Sequence, residues 1–324
     1  MPQLRKDPVT GRWVIVNIES PQKEFPSRPH TPSSKACPFC PGNESMTPPE
    51  IVSYPKKSGK GWQVRVIPNK FPALRIEEKT DKQAIGIYDK VGGFGAHEVI
   101  IENPDHDKEI ADLSTEQVEL VVRAYRERYL DLKKDARLKY ILLFKNYGEA
   151  AGASLEHPHS QLIALPIVPS RVLGELKGSG DHFSRTERCI FCDMLQQEKG
   201  VQKLTVFSEN GFVALAPFAS RFPFETWLLP QQHEAGFERM DETRLRSFAE
   251  ALRITLGKLK RALHDPSFNF MIHSVPALGK DTESYHWHVE IIPNLTQVAG
   301  FELGTGFYVN PTPPEIAAGI LRQV

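Results

Sequence analysis

The stretch Tyr140-Ile-Leu-Leu-Phe144, Asn146, then Ala151-Gly-Ala-Ser-Leu-Glu-His-Pro-His-Ser-Gln161 and Leu162-Ile-Ala-Leu165 decides how this chain is read. Two apolar runs flank a small-residue loop, which predicts strand, loop, strand. If residues 158–161 are extended, His157, His159 and Gln161 share one face, because side chains alternate along a strand. Taken alone, a His-x-His pair is most simply two ordinary surface or core histidines. The rest of the chain changes that reading.

The four cysteines fall into two pairs, Cys37-Pro-Phe-Cys40 and Cys189-Ile-Phe-Cys192. Nothing at the start reads as a secretory leader, and no apolar run is long enough for a membrane span, so a cytoplasmic protein is expected. In that setting, paired cysteines favour metal binding or redox chemistry over disulfides. Each pair is followed by a histidine after a predicted strand (His106, His233), a long periodic helix, and a His-x-His on a last strand pair (His157 and His159, His286 and His288). Such repetition predicts an α+β fold of two tandem units related by internal duplication. Each unit is an antiparallel sheet with one long helix. The units are placed at 1–170 and 181–324, with residues 166–181, rich in Pro and Gly, as the passage between them.

Cys₂His₂ is a complete tetrahedral donor set for zinc and leaves no position for water, which points to structural metal. The proposed ligands are Cys37, Cys40, His106 and His157 in the first half. In the second half they are Cys189, Cys192, His233 and His286. If His157 holds metal, His159 is left as a neutral imidazole, a nucleophile near neutral pH. Gly152, Ser154 and Gln161 then supply uncharged donors suited to a phosphoryl group. In the second copy Glu290 stands where Gln161 does, and a carboxylate repels phosphate. That copy is expected to keep the metal and lose the nucleophile.

These elements resemble galactose-1-phosphate uridylyltransferase, in the transferase branch of the histidine-triad superfamily. The residues that carry the resemblance are Lys6-Asp-Pro-Val-Thr-Gly-Arg-Trp13, Pro68-Asn-Lys-Phe71, Asn103-Pro-Asp-His106 and His157-Pro-His159-Ser-Gln161. The resemblance implies a ping-pong nucleotidyltransferase of galactose metabolism, working through a uridylyl-His159. It implies that Asn69, Val99 and Asn146 line the nucleotide pocket and that Ser154 and Gln161 hold phosphate. It further implies a homodimer in which Glu302 of the neighbouring subunit reaches the hexose. Well-known members carry iron in the second half, whereas Cys189 and Cys192 here point to zinc. Phe301 in place of a tyrosine, and Leu303-Gly-Thr-Gly306 where some members have a glutamine, leave a second reading open: adenylyl transfer from ADP-glucose to phosphate.

The expected partners are therefore small molecules, a nucleotide sugar and a sugar 1-phosphate. A zinc-supported nucleic-acid-binding module is the competing class. The chain's 40 Lys plus Arg against 40 Asp plus Glu leave no net charge for a large nucleic-acid footprint.

Overall fold

The computed structural model describes residues 2–19, 22–23, 25, 36–56, 59–277 and 283–324. The Pro-rich run at residues 20–34 falls almost wholly outside these. In chain order the first half contains β1 (Gln3–Lys6), β2 (Trp13–Val16), β3 (Val52–Pro55), β4 (Trp62–Pro68), β5 (Lys82–Ile85), β6 (Tyr88–Val91), β7 (Ala96–Ile101), α1 (Thr115–Leu132), β8 (Tyr140–Tyr147) and β9 (His159–Leu165). The second half contains α2 (Ser170–Thr186), α3 (Ile190–Val201), β10 (Thr205–Glu209), β11 (Phe212–Leu215), β12 (Thr226–Pro230), α4 (Glu242–Ala262), β13 (Phe268–His273), β14 (His288–Pro293), α5 (Gly300–Thr305), β15 (Tyr308–Asn310) and α6 (Pro314–Arg322).

One antiparallel sheet carries the molecule, in the order β10-β11-β12-β14-β13-β8-β9-β7-β4-β3. Read outward from the β13–β8 seam, the two halves have the same order. β8 matches β13, β9 matches β14, β7 matches β12, β4 matches β11 and β3 matches β10. This is the architecture expected of a duplicated α+β unit, with the two sheets fused into one.

The sheet is two-faced because its strands alternate. Val66, Ile100, Leu143, Leu162, Leu228, Ile272 and Val289 point to one side. There they pack on the apolar stripes of α1 (Val118, Val121, Val122, Tyr125) and α4 (Leu245, Phe248, Leu252, Leu256). Burying such side chains contributes roughly 1.5–3 kcal/mol each. The helix starts follow the sequence. Ser114 Oγ accepts from the Gln117 N–H at 3.2 Å, as a capping residue should. The Gln117 side chain does not reach back to the Ser114 N–H, however. The Gln117 amide instead donates to the carbonyls of Gln63 (2.9 Å) and Glu102 (2.8 Å), tying α1 to the sheet. The β10–β11 hairpin turns through Asn210 (φ 51°) and Gly211 (φ 80°), the left-handed pair that a two-residue turn requires.

Most of the passage expected at 166–181 is instead helix α2, and one of its glycines serves a contact. A Cβ on Gly178 would lie 1.7 Å from the Val9 carbonyl oxygen, so only glycine lets the Asp7–Gly11 turn pack against the helix. Among the described residues no helix is long and apolar enough to cross a membrane.

Candidate active site and metal centres

The other face of the sheet carries the polar chemistry. Residues opposite one another in register share a face. One such row runs Val99, Gln161, Phe144, Met271, Glu290, Trp227. The neighbouring rows pair Ile101 with His159, and Asn146 with Asn269. His157 precedes β9 in a bend, so only His159 and Gln161 of the expected trio lie on the strand itself.

The bend lets His157 turn toward the cysteine knuckle. Donor atoms of Cys37, Cys40, His106 and His157 all lie within 4.8 Å of one another. Cys40 Sγ is 3.4 Å from His106 Nδ1 and 3.6 Å from His157 Nδ1. His157 Nε2 lies 2.9 Å from the Asn103 carbonyl oxygen, an acceptor only. The proton is therefore on Nε2, and the Nδ1 lone pair faces the cluster, as a metal ligand oriented by a backbone carbonyl requires. Burial first, and then its neighbour Cys37, pushes the Cys40 thiol up to about 11. A bound cation would supply the charge that makes it a thiolate.

The second half repeats this arrangement. Cys189, Cys192, His233 and His286 also gather within 4.8 Å, with Cys192 Sγ at 3.5 Å from both His233 Nδ1 and His286 Nδ1. His286 Nε2 donates to the Pro230 carbonyl at 3.0 Å. Cys189 immediately precedes the N-terminus of α3. Both donor sets suit a tetrahedral metal ion in chemistry and geometry.

His159 has the complementary tautomer. Its Nδ1 lies 2.8 Å from the His157 carbonyl oxygen, so Nδ1 carries the proton and Nε2 keeps its lone pair. Burial, reinforced by the Lys145 charge, lowers its pKa and keeps the ring neutral. The ring lines a cavity of about 380 Å³ together with Phe39, Asn69, Phe71, Val99, Ser154 and Gln161. Five of the expected site residues (Asn69, Val99, Ser154, His159, Gln161) thus meet in one cavity.

Asn146 and Gly152 lie beside this cavity and not in its wall. Asn146 Oδ1 accepts from Asn269 Nδ2 at 2.8 Å, and Asn269 also donates to the Ala151 carbonyl, fixing the loop before His157. Gly152 takes φ 83°, which holds that turn open. Within one chain Glu302 is not brought to the cavity. It lies on α5, where its carboxylate accepts from the Ala299 N–H at 3.1 Å.

Behind His159, on the helix side, Lys145 is buried between Glu102 (2.5 Å) and Glu109 (2.9 Å). Ser160 Oγ and Tyr125 OH both reach Glu102. This network lay unread in the sequence, where Lys145 is one polar letter in an apolar run.

The copy at His288 is filled in. His288 stacks on His273 with ring centroids 4.9 Å apart, and Glu175 and Glu290 complete the cluster. Glu290, the counterpart of Gln161, is held by Arg171 at 2.5 Å and Arg221 at 2.7 Å. The gap beside these residues, closed by Thr10, Arg12, Phe191 and Trp227, has about 10 Å³, too little for a ligand. Glu175 and His273 were not read as site residues in the sequence. Glu175 sits in the segment expected as a connection, and His273 closes a mostly apolar strand.

The family model described as "Galactose-1-phosphate uridyl transferase, N-terminal domain" matches residues 1–169, and a domain family of unknown function matches 95–323. ADP-glucose phosphorylase of Arabidopsis thaliana is 37% identical over 100% of this chain and 93% of its own length. Galactose-1-phosphate uridylyltransferase of Thermotoga maritima is 30% identical over 100% of this chain and 98% of its own. The crystal structure of the Arabidopsis thaliana ADP-glucose phosphorylase with bound ADP-glucose superposes with a TM-score of 0.86 at 36% identity, covering 100% of this chain and 99% of that one. A uridylyltransferase structure gives 0.79 at 30%, covering 100% and 98%. The chain belongs to the galactose-1-phosphate uridylyltransferase family of nucleotidyltransferases.

Proposed function

We propose that the chain moves a nucleotidyl group from a nucleotide sugar to a phosphate-bearing acceptor through His159. The observation that carries this is the His159 tautomer: an unprotonated Nε2 in a cavity lined by the uncharged donors Asn69, Ser154 and Gln161 and by Lys70. His159 Nε2 bonds to the α-phosphorus, and the bond from that phosphorus to the bridging oxygen breaks. Sugar 1-phosphate leaves with the electron pair. A phosphate oxygen of the acceptor then attacks the same phosphorus and frees Nε2. The amide of Gln161 and the hydroxyl of Ser154 donate to the phosphoryl oxygens, whose charge builds in the transition state.

For the donor we favour ADP-glucose with phosphate as acceptor. Support comes from the whole-chain likeness to an ADP-glucose phosphorylase and from Phe301 and the glycine-bearing Leu303–Gly306 stretch near the expected hexose position. The second reading, UDP-glucose with galactose 1-phosphate, is supported by the family model and by the Thermotoga maritima relative. In both readings Glu302 enters the neighbouring site of a homodimer, and the enzyme works in the cytoplasm on small molecules, with no nucleic acid.

The test is a label in the nucleotidyl group. Incubation with ADP-glucose alone leaves label on the protein, and inorganic phosphate releases it as ADP. Faster labelling from UDP-glucose, released by galactose 1-phosphate, establishes the second reading instead. If neither donor labels the protein, the ping-pong reading fails.

Zinc is the metal proposed for both clusters. Elemental analysis is expected to give about two zinc per chain, and a Cys192→Ser variant about one. A second site filled mainly by iron overturns that assignment.

A further inference from the structure

We propose that His97 is a positioning residue that holds the Gln161 amide in the orientation a phosphoryl oxygen needs. The inference rests on the nucleotidyl-transfer reading and adds to it a residue that acts through Gln161. His97 lies on β7 on the cavity face, opposite Ile163 and two residues from Val99. The backbone N–H of Ala73 points at His97 Nδ1 from 3.1 Å. A backbone N–H can only donate, so Nδ1 accepts and the ring proton is on Nε2. That Nε2 lies 2.9 Å from Gln161 Oε1 and donates to it.

The amide oxygen of Gln161 is therefore engaged from behind, and its NH₂ group is left for the cavity. A phosphoryl oxygen offers only lone pairs, so this is the orientation that binds it. The flipped amide would set oxygen against oxygen. Without a donor at the His97 position, nothing on the strand separates the two orientations, and part of the population presents the wrong end. The same ring stands beside a second amide of the cavity wall. Asn69 Oδ1 accepts from the Phe71 N–H at 2.9 Å, and Asn69 Nδ2 lies 3.1 Å from His97 Nε2, where two donors meet and make no hydrogen bond. The Ala73 N–H thus fixes the tautomer of His97, and His97 fixes Gln161.

Two variants separate positioning from packing. His97→Asn keeps an acceptor near the Nδ1 position for Ala73 and removes the donor to Gln161. His97→Gln returns an amide nitrogen near the Nε2 position. Nucleotidyl transfer is measured with the full-length, metal-loaded protein, using ADP-glucose with phosphate and UDP-glucose with galactose 1-phosphate. His97→Asn is expected to lower kcat about 10- to 100-fold, with KM changed less than about threefold. His97→Gln should recover most of the loss. In a Gln161→Ala background, His97→Asn should cost nothing further, because its effect passes through Gln161. A His97→Asn variant within twofold of wild type, or one that loses as much in the Gln161→Ala background, overturns the assignment, as does a His97→Gln variant no better than His97→Asn. A wild-type chain that transfers nothing from either donor overturns the nucleotidyl-transfer reading, and the His97 proposal with it. An active wild type with indifferent variants overturns the His97 proposal alone.

Discussion

A His159→Gly variant is expected to lose turnover by at least about four orders of magnitude, because it removes the atom that bonds to phosphorus. The covalent label should vanish with it. Its fold and metal content should stay, because the ring makes one backbone hydrogen bond, to the His157 carbonyl, and one edge contact, to Phe39 with centroids 5.3 Å apart, and otherwise borders the cavity. His157 is two residues away but has its own anchor, Asn103, so the metal cluster does not depend on His159. The measurement is label per chain, together with kcat and elemental analysis on the same preparation. Label retained by the variant would move the nucleophile elsewhere. Label and metal lost together would mean that His159 is part of the fold and not only of the chemistry.

Lys145→Met should be the most damaging substitution for stability, at about 3–5 kcal/mol. Methionine fills the space, so packing is nearly kept and the loss is electrostatic. Glu102 and Glu109 would remain buried with no cation between them. The pH dependence gives a second check. Burial raises the Glu109 pKa, and the Lys145 charge opposes that rise. Removing Lys145 lifts it further, so the folded variant binds more protons than its unfolded chain at intermediate pH. Stability then falls as pH rises. The variant's deficit in denaturant melts should accordingly be larger at pH 8 than at pH 5. A deficit that does not change with pH would mean that packing, not charge, set the loss.

What was legible in the sequence follows from what each residue depends on. Cys37, Cys40, His106 and His157 could be grouped because the second half writes the same donors again, and repetition stands in for distance. The two roles of His157 and His159 followed from that grouping. Helix α2 was not legible, because its buried positions are unusual for a helix. Val172, Glu175 and Ser179 face inward, and Gly178 meets the backbone at Val9. A helix that packs on an ion network and a turn has an apolar stripe interrupted by polar residues, and its glycines read as a break. His97 and Asn269 were hidden for another reason. Each is one of two polar letters in a short strand, and its meaning lies in a partner, Gln161 or Asn146, that only strand pairing supplies.

The seam between β8 and β13 has a consequence for how this chain can be divided. Five residue pairs, from Phe268 with Tyr147 to Ile272 with Leu143, join the halves across it. α1 and α4 pack side by side on one face of the fused sheet. Neither half alone would have a finished surface: each would present a bare strand edge and an uncovered helix flank. The two bare edges are complementary to each other. A chain severed between β9 and α2 would give two fragments, each able to restore the other by strand addition. The duplication thus left one cooperative unit with a built-in point of reassembly, and not two enzymes joined by a tether.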